Sequence, residues 1–196
     1  IPLRHHILGC FERANRLPAT GRSGLLTFVI VGGGPTGVEY AGALAALVYG
    51  PLHPDFPEIP EREPRVVLVE AGERVLAGMP DKLSDYARRR LQKKGVEVRL
   101  DTTVTHIDPK SVSFGDGTVV PAETVVWTAG VGGDPAIASW GLPIGPGGRV
   151  LVEPTLTLAD HDEVFVVGDL AYFEVDGVAL PQVAPVAMQQ GARAGR

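Results

Sequence analysis

The chain has 196 residues but only one cysteine, Cys10, and no surplus of positive charge. A lone cysteine cannot close an internal disulfide, so the chain is no disulfide scaffold and fits a reducing compartment, the cytoplasm. Lys and Arg number 18 against 23 Asp and Glu, a formal charge of −5. With a pI near 5.5, that balance argues against nucleic acid or an anionic membrane surface as the main partner. No apolar run approaches the roughly 18 residues a bilayer span needs. Gly-Lys never occurs, which excludes a Walker-type phosphate loop, and no Gly-x-Ser-x-Gly elbow is present. The five histidines, His5, His6, His53, His106 and His161, show no ligand spacing, so no metal is assigned. The opening residues IPLRHHILG carry neither an initiator Met nor a charged-then-apolar signal pattern. The expectation is a stretch of a longer protein.

What the chain does have is 44% apolar and 21% charged residues, with 25 glycines and 17 prolines. This is a soluble, turn-rich globular composition with enough apolar surface for a core. Leu3 to Asn15 carries near-helical spacing. Leu25 to Val31 is an apolar, partly β-branched run of the kind buried in a parallel sheet. A helix is predicted from about Thr36 to Val48, a strand over Arg65 to Glu70, a helix from about Asp81 to Lys94 ended by Gly95, and a strand over Val96 to Leu100. The five prolines at 51, 54, 57, 60 and 64 predict a loop that is neither helix nor strand.

The period then changes. Val104 to Ile107, Ser111 to Phe114 and Thr118 to Val120 read as short strands, with Asp116-Gly117 as a hairpin signal. Val125 to Trp127 is a further strand, Gly130 to Gly148 a turn-rich connection, Val164 to Val167 a last buried strand, and Pro181 to Arg196 a closing helix. The pattern predicts an α/β fold: a Rossmann-type parallel sheet with helices on both faces and an inserted antiparallel meander.

Gly32-Gly33-Gly34-Pro35-Thr36-Gly37 has Gly-x-Gly-x-x-Gly spacing between a buried strand and a helix. Gly32 permits the tight turn, Gly34 lets the backbone approach a pyrophosphate, and Gly37 lets helix and strand pack closely. The helix N-terminus offers free N–H groups and partial positive charge to phosphates. The alternative is a glycine-rich turn with no ligand. An acidic residue should end the second strand and bind the adenosine ribose, and Glu70 holds that place, 33 residues past Gly37. A carboxylate there repels a 2′-phosphate, so NADH is expected over NADPH. Arg74, four residues on, would weaken that preference if it faced the ribose; the favoured reading is a solvated arginine at the start of a loop.

Three further segments carry a resemblance: Thr128-Ala129-Gly130 after a strand, Val164 to Asp169 ending in Gly168-Asp169, and Ala184 to Gly191 opening the last helix. With GGGPTGVEYAG, in this order, they resemble the two-dinucleotide-domain flavoproteins, and within them the type II NADH dehydrogenases. The resemblance implies an NAD(H) domain over residues 23–130 set inside an FAD domain. Residues 1–22 would end that domain's first segment, 131–149 would be a linker, and 150–196 would be the returning segment. It implies NADH and FAD as cofactors and a quinone as electron acceptor. It also implies a longer protein peripheral on the cytoplasmic face of the membrane, with a homodimer allowed.

By the same resemblance Ala129 and Gly130 belong to the cofactor site, and Asp169, with Gly168 beside it, binds the ribityl or phosphate region of FAD. A strand-end turn is the plain alternative for that pair. Glu39 would orient the nicotinamide for hydride transfer to flavin, although a carboxylate there also compensates the helix dipole. Gln189 would lie on the quinone or flavin side, or be an ordinary helix glutamine. Many members carry a glutamine where this chain has Pro185, so a related NAD(P)H flavoprotein serving ferredoxin or rubredoxin stays open. So does a redox-inactive dinucleotide-binding module. No Cys-x-x-Cys pair is present, which sets the chain apart from thioredoxin reductases.

Overall fold

A computed structural model describes residues 2–196. They form two compact units, the first ending at Ala129 and the second running Gly130–Arg196. In the first, α1 (Pro2–Asn15) precedes β1 (Thr27–Val31), α2 (Pro35–Val48), α3 (Leu52–Asp55), β2 (Arg65–Val69), α4 (Asp81–Lys93) and β3 (Val96–Arg99). An antiparallel meander of β4 (Val104–Asp108), β5 (Ser111–Phe114) and β6 (Val119–Pro121) leads to β7 (Thr124–Trp127). The main sheet is parallel, in the order β3-β2-β1-β7, with Val29 opposite Val67 and Val125.

Successive side chains of a strand point to opposite faces, and β1 shows what each face meets. Phe28 and Ile30 pack with Val66 and Leu68 against Phe11 of α1, Leu44 and Val48 of α2 and Leu91 of α4. Val29 and Val31 pack with Val67 and Val69 against Val112, Phe114 and Val120 of the meander. The α/β class, the parallel sheet and the meander are as the pattern predicts. The second face, however, is covered by the meander and not by a further helical layer. Strand periodicity marks two buried faces without saying what buries them.

The proline segment also differs in one turn. Leu52–Asp55 is a single helical turn with Pro51 at its N-cap. Pro54 lies in that first turn, where no N–H is needed for an intrahelical bond, so the ring does no harm. Cys10 is buried and its Sγ lies 3.6 Å from Nε2 of His6 and 3.8 Å from the Thr124 hydroxyl. Burial pushes its thiol pKa up, so the group behaves as a small apolar residue.

On the edge of the sheet Glu97 accepts from Arg65 at 2.6 Å and from Arg99 Nε at 2.7 Å. Burial raises its pKa, but the two guanidinium groups outweigh burial and the net shift is downward. A lowered folded pKa stabilises the fold above the ordinary carboxylate value of 4.5 and loses that contribution as pH falls through the lowered one. Glu97→Gln is therefore expected to lower the urea midpoint at pH 7 by the equivalent of less than about 1 kcal/mol, the range of water-exposed pairs. The difference from wild type should vanish in strong acid; one that persisted there would show that the effect is not the charge.

The second unit contains β8 (Val150–Leu151), β9 (Thr157–Leu158), β10 (His161–Phe165), β11 (Ala171–Tyr172), β12 (Glu174–Val175), β13 (Val178–Ala179) and α5 (Ala184–Ala194). Its core is small: Ile137, Val150, Leu158, Val166 and Ala171. Of the strand expected to be buried over Val164 to Val167, Val164 and Phe165 close β10, which among the described residues pairs with β9 alone, across a register shift. Val164, Phe165 and Val167 are exposed, and only Val166 turns inward. Within the described residues a two-stranded ladder has no further sheet to cover both faces of the run.

Candidate functional site

The site follows from the order of the strands. From β1 the chain moves outward through β2 to β3, then returns across the sheet to place β7 on the other side of β1. The connections therefore part in opposite directions at the C-terminal ends of β1 and β7, the point where open α/β sheets leave a crevice. Gly32 to Gly37 leaves β1 at this point and Thr128-Ala129 leaves β7.

The turn is held from both sides. The Gly32 N–H donates to the Val69 carbonyl at 2.8 Å, and the Thr128 hydroxyl donates to Val31 O at 2.8 Å and Gly32 O at 3.2 Å. Gly32 has φ +111°, a conformation that side chains rarely adopt. Gly33 is fixed at both its polar groups, its N–H donating to Oε2 of Glu70 at 2.6 Å and its carbonyl accepting from Leu76 N–H at 2.7 Å. The second oxygen of Glu70 accepts from Gly72 N–H at 2.8 Å. Each carboxylate oxygen keeps lone-pair capacity for a further donor. Gly34 and Pro35 open α2, whose N-terminus has no side-chain cap.

The structure thus brings Gly32, Gly33, Gly37, Glu70 and Ala129 together around one turn, with Gly34, Pro35 and Thr36 exposed on it. Glu39 lies exposed on the first turns of α2. Arg74 is tied to Asp81 and donates to the Ala77 carbonyl at 2.8 Å. It is thus an anchored loop residue more than a freely solvated one.

In the second unit Gly168, φ +70°, begins a short 3-10 turn with Asp169. The Asp169 side chain is exposed and has no hydrogen-bond partner among the described residues. Gly130 also has positive φ and opens this unit. Gln189 is exposed on α5, whereas its neighbour Gln190 is buried and accepts from the Gly168 N–H at 2.7 Å through Oε1. Sequence reasoning passed over Gln190, and the signal was available: Gln190 stands four residues after Val186 and seven after Val183, the spacing of one helix face. Arg149, buried against Tyr172, was missed as well.

A βαβ sheet with a glycine turn at its switch point and an acidic residue after the second strand defines a dinucleotide-binding protein of the α/β class. The comparisons narrow that class. The model of the pyridine nucleotide-disulphide oxidoreductases matches residues 5–191, and the chain belongs to that family. The type II NADH:quinone oxidoreductases NdhA and Ndh of Mycobacterium tuberculosis are each 43% identical to it, over 98% and 91% of this chain. The chain spans about two fifths of the length of these relatives, 42% and 41%. NDH2 from Plasmodium falciparum, solved in complex with NADH, superposes with a TM-score of 0.79 at 17% identity, covering 87% of this chain and 37% of that one. The last likeness is one of fold.

Proposed function

We propose that this chain supplies the NADH-binding region and part of the FAD-binding surface of an NADH:quinone oxidoreductase. Residues 23–130 form the NAD(H) domain, 1–22 lead into it from the FAD domain with α1 packed against the NAD(H) sheet, 150–196 belong to the FAD domain, and 131–149 join the two. The observation that carries the reading is Glu70, whose carboxylate is fixed by Gly33 and Gly72 N–H groups at the switch point. The residues fit the dinucleotide. Nothing lies within 4 Å of a methyl group built on Gly34, so the turn leaves open space where a pyrophosphate would approach the backbone.

Gly34 and the uncapped start of α2 then offer N–H groups to the phosphates, Glu70 accepts from the adenosine ribose, and Glu39 orients the nicotinamide. Asp169 presents a free carboxylate to FAD, and Gly168 and Gln190 shape the turn that holds it. Bound flavin supplies the two-electron chemistry; the protein positions the reactants and excludes water. Support for quinone as acceptor comes from the relatives' names, and Gln189, exposed on α5, is the residue this reading places on the quinone or flavin side. A quinone is lipid-soluble, and among the described residues no helix is long and apolar enough to cross a membrane. The same reading places the longer protein peripheral on a membrane surface, where a lipid-soluble quinone is met.

The test is a calorimetric titration of the chain with NADH and NADPH. Wild type is expected to bind NADH more tightly. Glu70→Ala removes a charged acceptor worth about 1.5–3 kcal/mol per hydrogen bond, so NADH affinity should fall at least tenfold and NADPH affinity by less. An unchanged ratio between the two would overturn the assignment of Glu70.

A further inference from the structure

At the opposite end of the sheet from the glycine turn, a cleft of about 580 Å³ opens beside the starts of β2 and β3. Three separate elements bring cations to it: Arg62 from the proline loop, Arg65 from β2, and Lys93 and Lys94 from the end of α4. Two carboxylates, Glu61 and Glu97, share the lining. Glu97 is already divided between Arg65 and Arg99. Among the described residues no carboxylate lies within ion-pair distance of Arg62, Lys93 or Lys94. The cleft is thus positive in a chain whose formal charge is −5. Compensation of the α4 dipole explains a lysine at its C-terminus, but not Arg62, which belongs to no helix end.

The wall is firm. Tyr49 donates to the carbonyls of Pro64 at 3.1 Å and Gly95 at 3.3 Å, which ties α2 to the starts of both strands. The volume falls in the range of small-molecule sites and exceeds what a single inorganic ion needs. Guanidinium and ammonium groups lining one space are the donor set for phosphate oxygens, with Arg62, Lys93 and Lys94 the cations that, among the described residues, are not already bonded to a carboxylate. We infer that this cleft binds a phosphorylated small molecule carrying at least two negative charges, at a site separate from the glycine turn.

The experiment is an NMR titration of the isotope-labelled 196-residue chain with pyrophosphate and, separately, with ADP. The Arg65, Gly95 and Glu97 amides are expected to shift with at least one probe. The triple variant Arg62→Gln/Lys93→Gln/Lys94→Gln should weaken that response at least tenfold while its spectrum elsewhere stays that of the folded chain. Single variants at the same positions give the reading should the triple variant not fold. Pyrophosphate alone sufficing would assign the affinity to the phosphates, and a much tighter response to ADP would add the nucleoside. Silence at these amides with both probes, shifts confined to Gly32 to Gly37, or a response that survives the substitutions would overturn the inference.

Discussion

A Gly37→Ala chain is expected to lose NADH binding and to melt several degrees below wild type, whereas Gly34→Ala should lose binding without losing stability. The added carbon at Gly37 would lie 1.9 Å from the Gly32 carbonyl oxygen and 2.8 Å from the Thr128 hydroxyl. Neither neighbour can give way cheaply. Gly32 is anchored to Val69, and the Thr128 hydroxyl is committed to the Val31 and Gly32 carbonyls. The start of α2 must therefore lift from β1, which costs about 1–3 kcal/mol or more by the usual penalty of overpacking. Gly34 differs in kind: φ −69° and ψ 179° suit any residue, and open space surrounds it. Alanine there should fold as well as glycine, or slightly better by restricting the unfolded chain. Only an approaching pyrophosphate would meet its methyl group, so NADH affinity should fall at least tenfold. Calorimetry paired with thermal melts checks both. Wild-type NADH affinity in Gly34→Ala would show that the turn is not the seat of the pyrophosphate.

These two glycines also mark how far the sequence could be read. The strand, the turn and Glu70 were legible because each is local, a buried run broken by glycines and an acid closing the next strand. The meander was legible from its short period and from Asp116-Gly117. The position of β7 beside β1 depends on long-range pairing, and so does the use of the meander as the second cover of the sheet. The apolar run at Val164 to Val167 records an affinity for burial, and within the described residues only Val166 is covered. In α5 the choice between Gln189 and Gln190 turns on about 100° of helix rotation. Composition cannot see that rotation, although the spacing to Val183 and Val186 could have pointed to it. Arg149 gave no signal at all. Between Gly148 and Val150 it reads as a turn residue facing water, yet it is 7% exposed.

Arg149→Ala is expected to be the most damaging single change in the second unit. Its Nη2 donates to the Ala171 carbonyl, both terminal nitrogens reach the Leu180 carbonyl at 3.4 and 3.5 Å, and the guanidinium stands 5.2 Å from the centre of the Tyr172 ring. Among the described residues no carboxylate pairs with it, and its Nε has no partner. Backbone carbonyls and an aromatic face thus hold a buried cation. Truncation leaves two carbonyls without donors, at about 1–3 kcal/mol each where they stay dry, and removes packing and cation–π contact as well. Relief of the buried charge offsets part of this, for a net loss of about 2–4 kcal/mol. Arg149→Met, which restores the packing without the charge, should recover some of it. Hydrogen exchange at the Val152 amide, bonded to Tyr172 O at 3.2 Å, reads the second unit by itself. Exchange there should quicken at least tenfold in Arg149→Ala and less in Arg149→Met, while the Val29 and Val67 amides of the first unit stay unchanged. Ala171 is two residues past Asp169, so the turn proposed to meet FAD should loosen in the same experiment, seen as faster exchange of the Gly168 amide that Gln190 now holds. If Val152 exchanges at the wild-type rate in Arg149→Ala, the guanidinium is not what fastens β8 to β11.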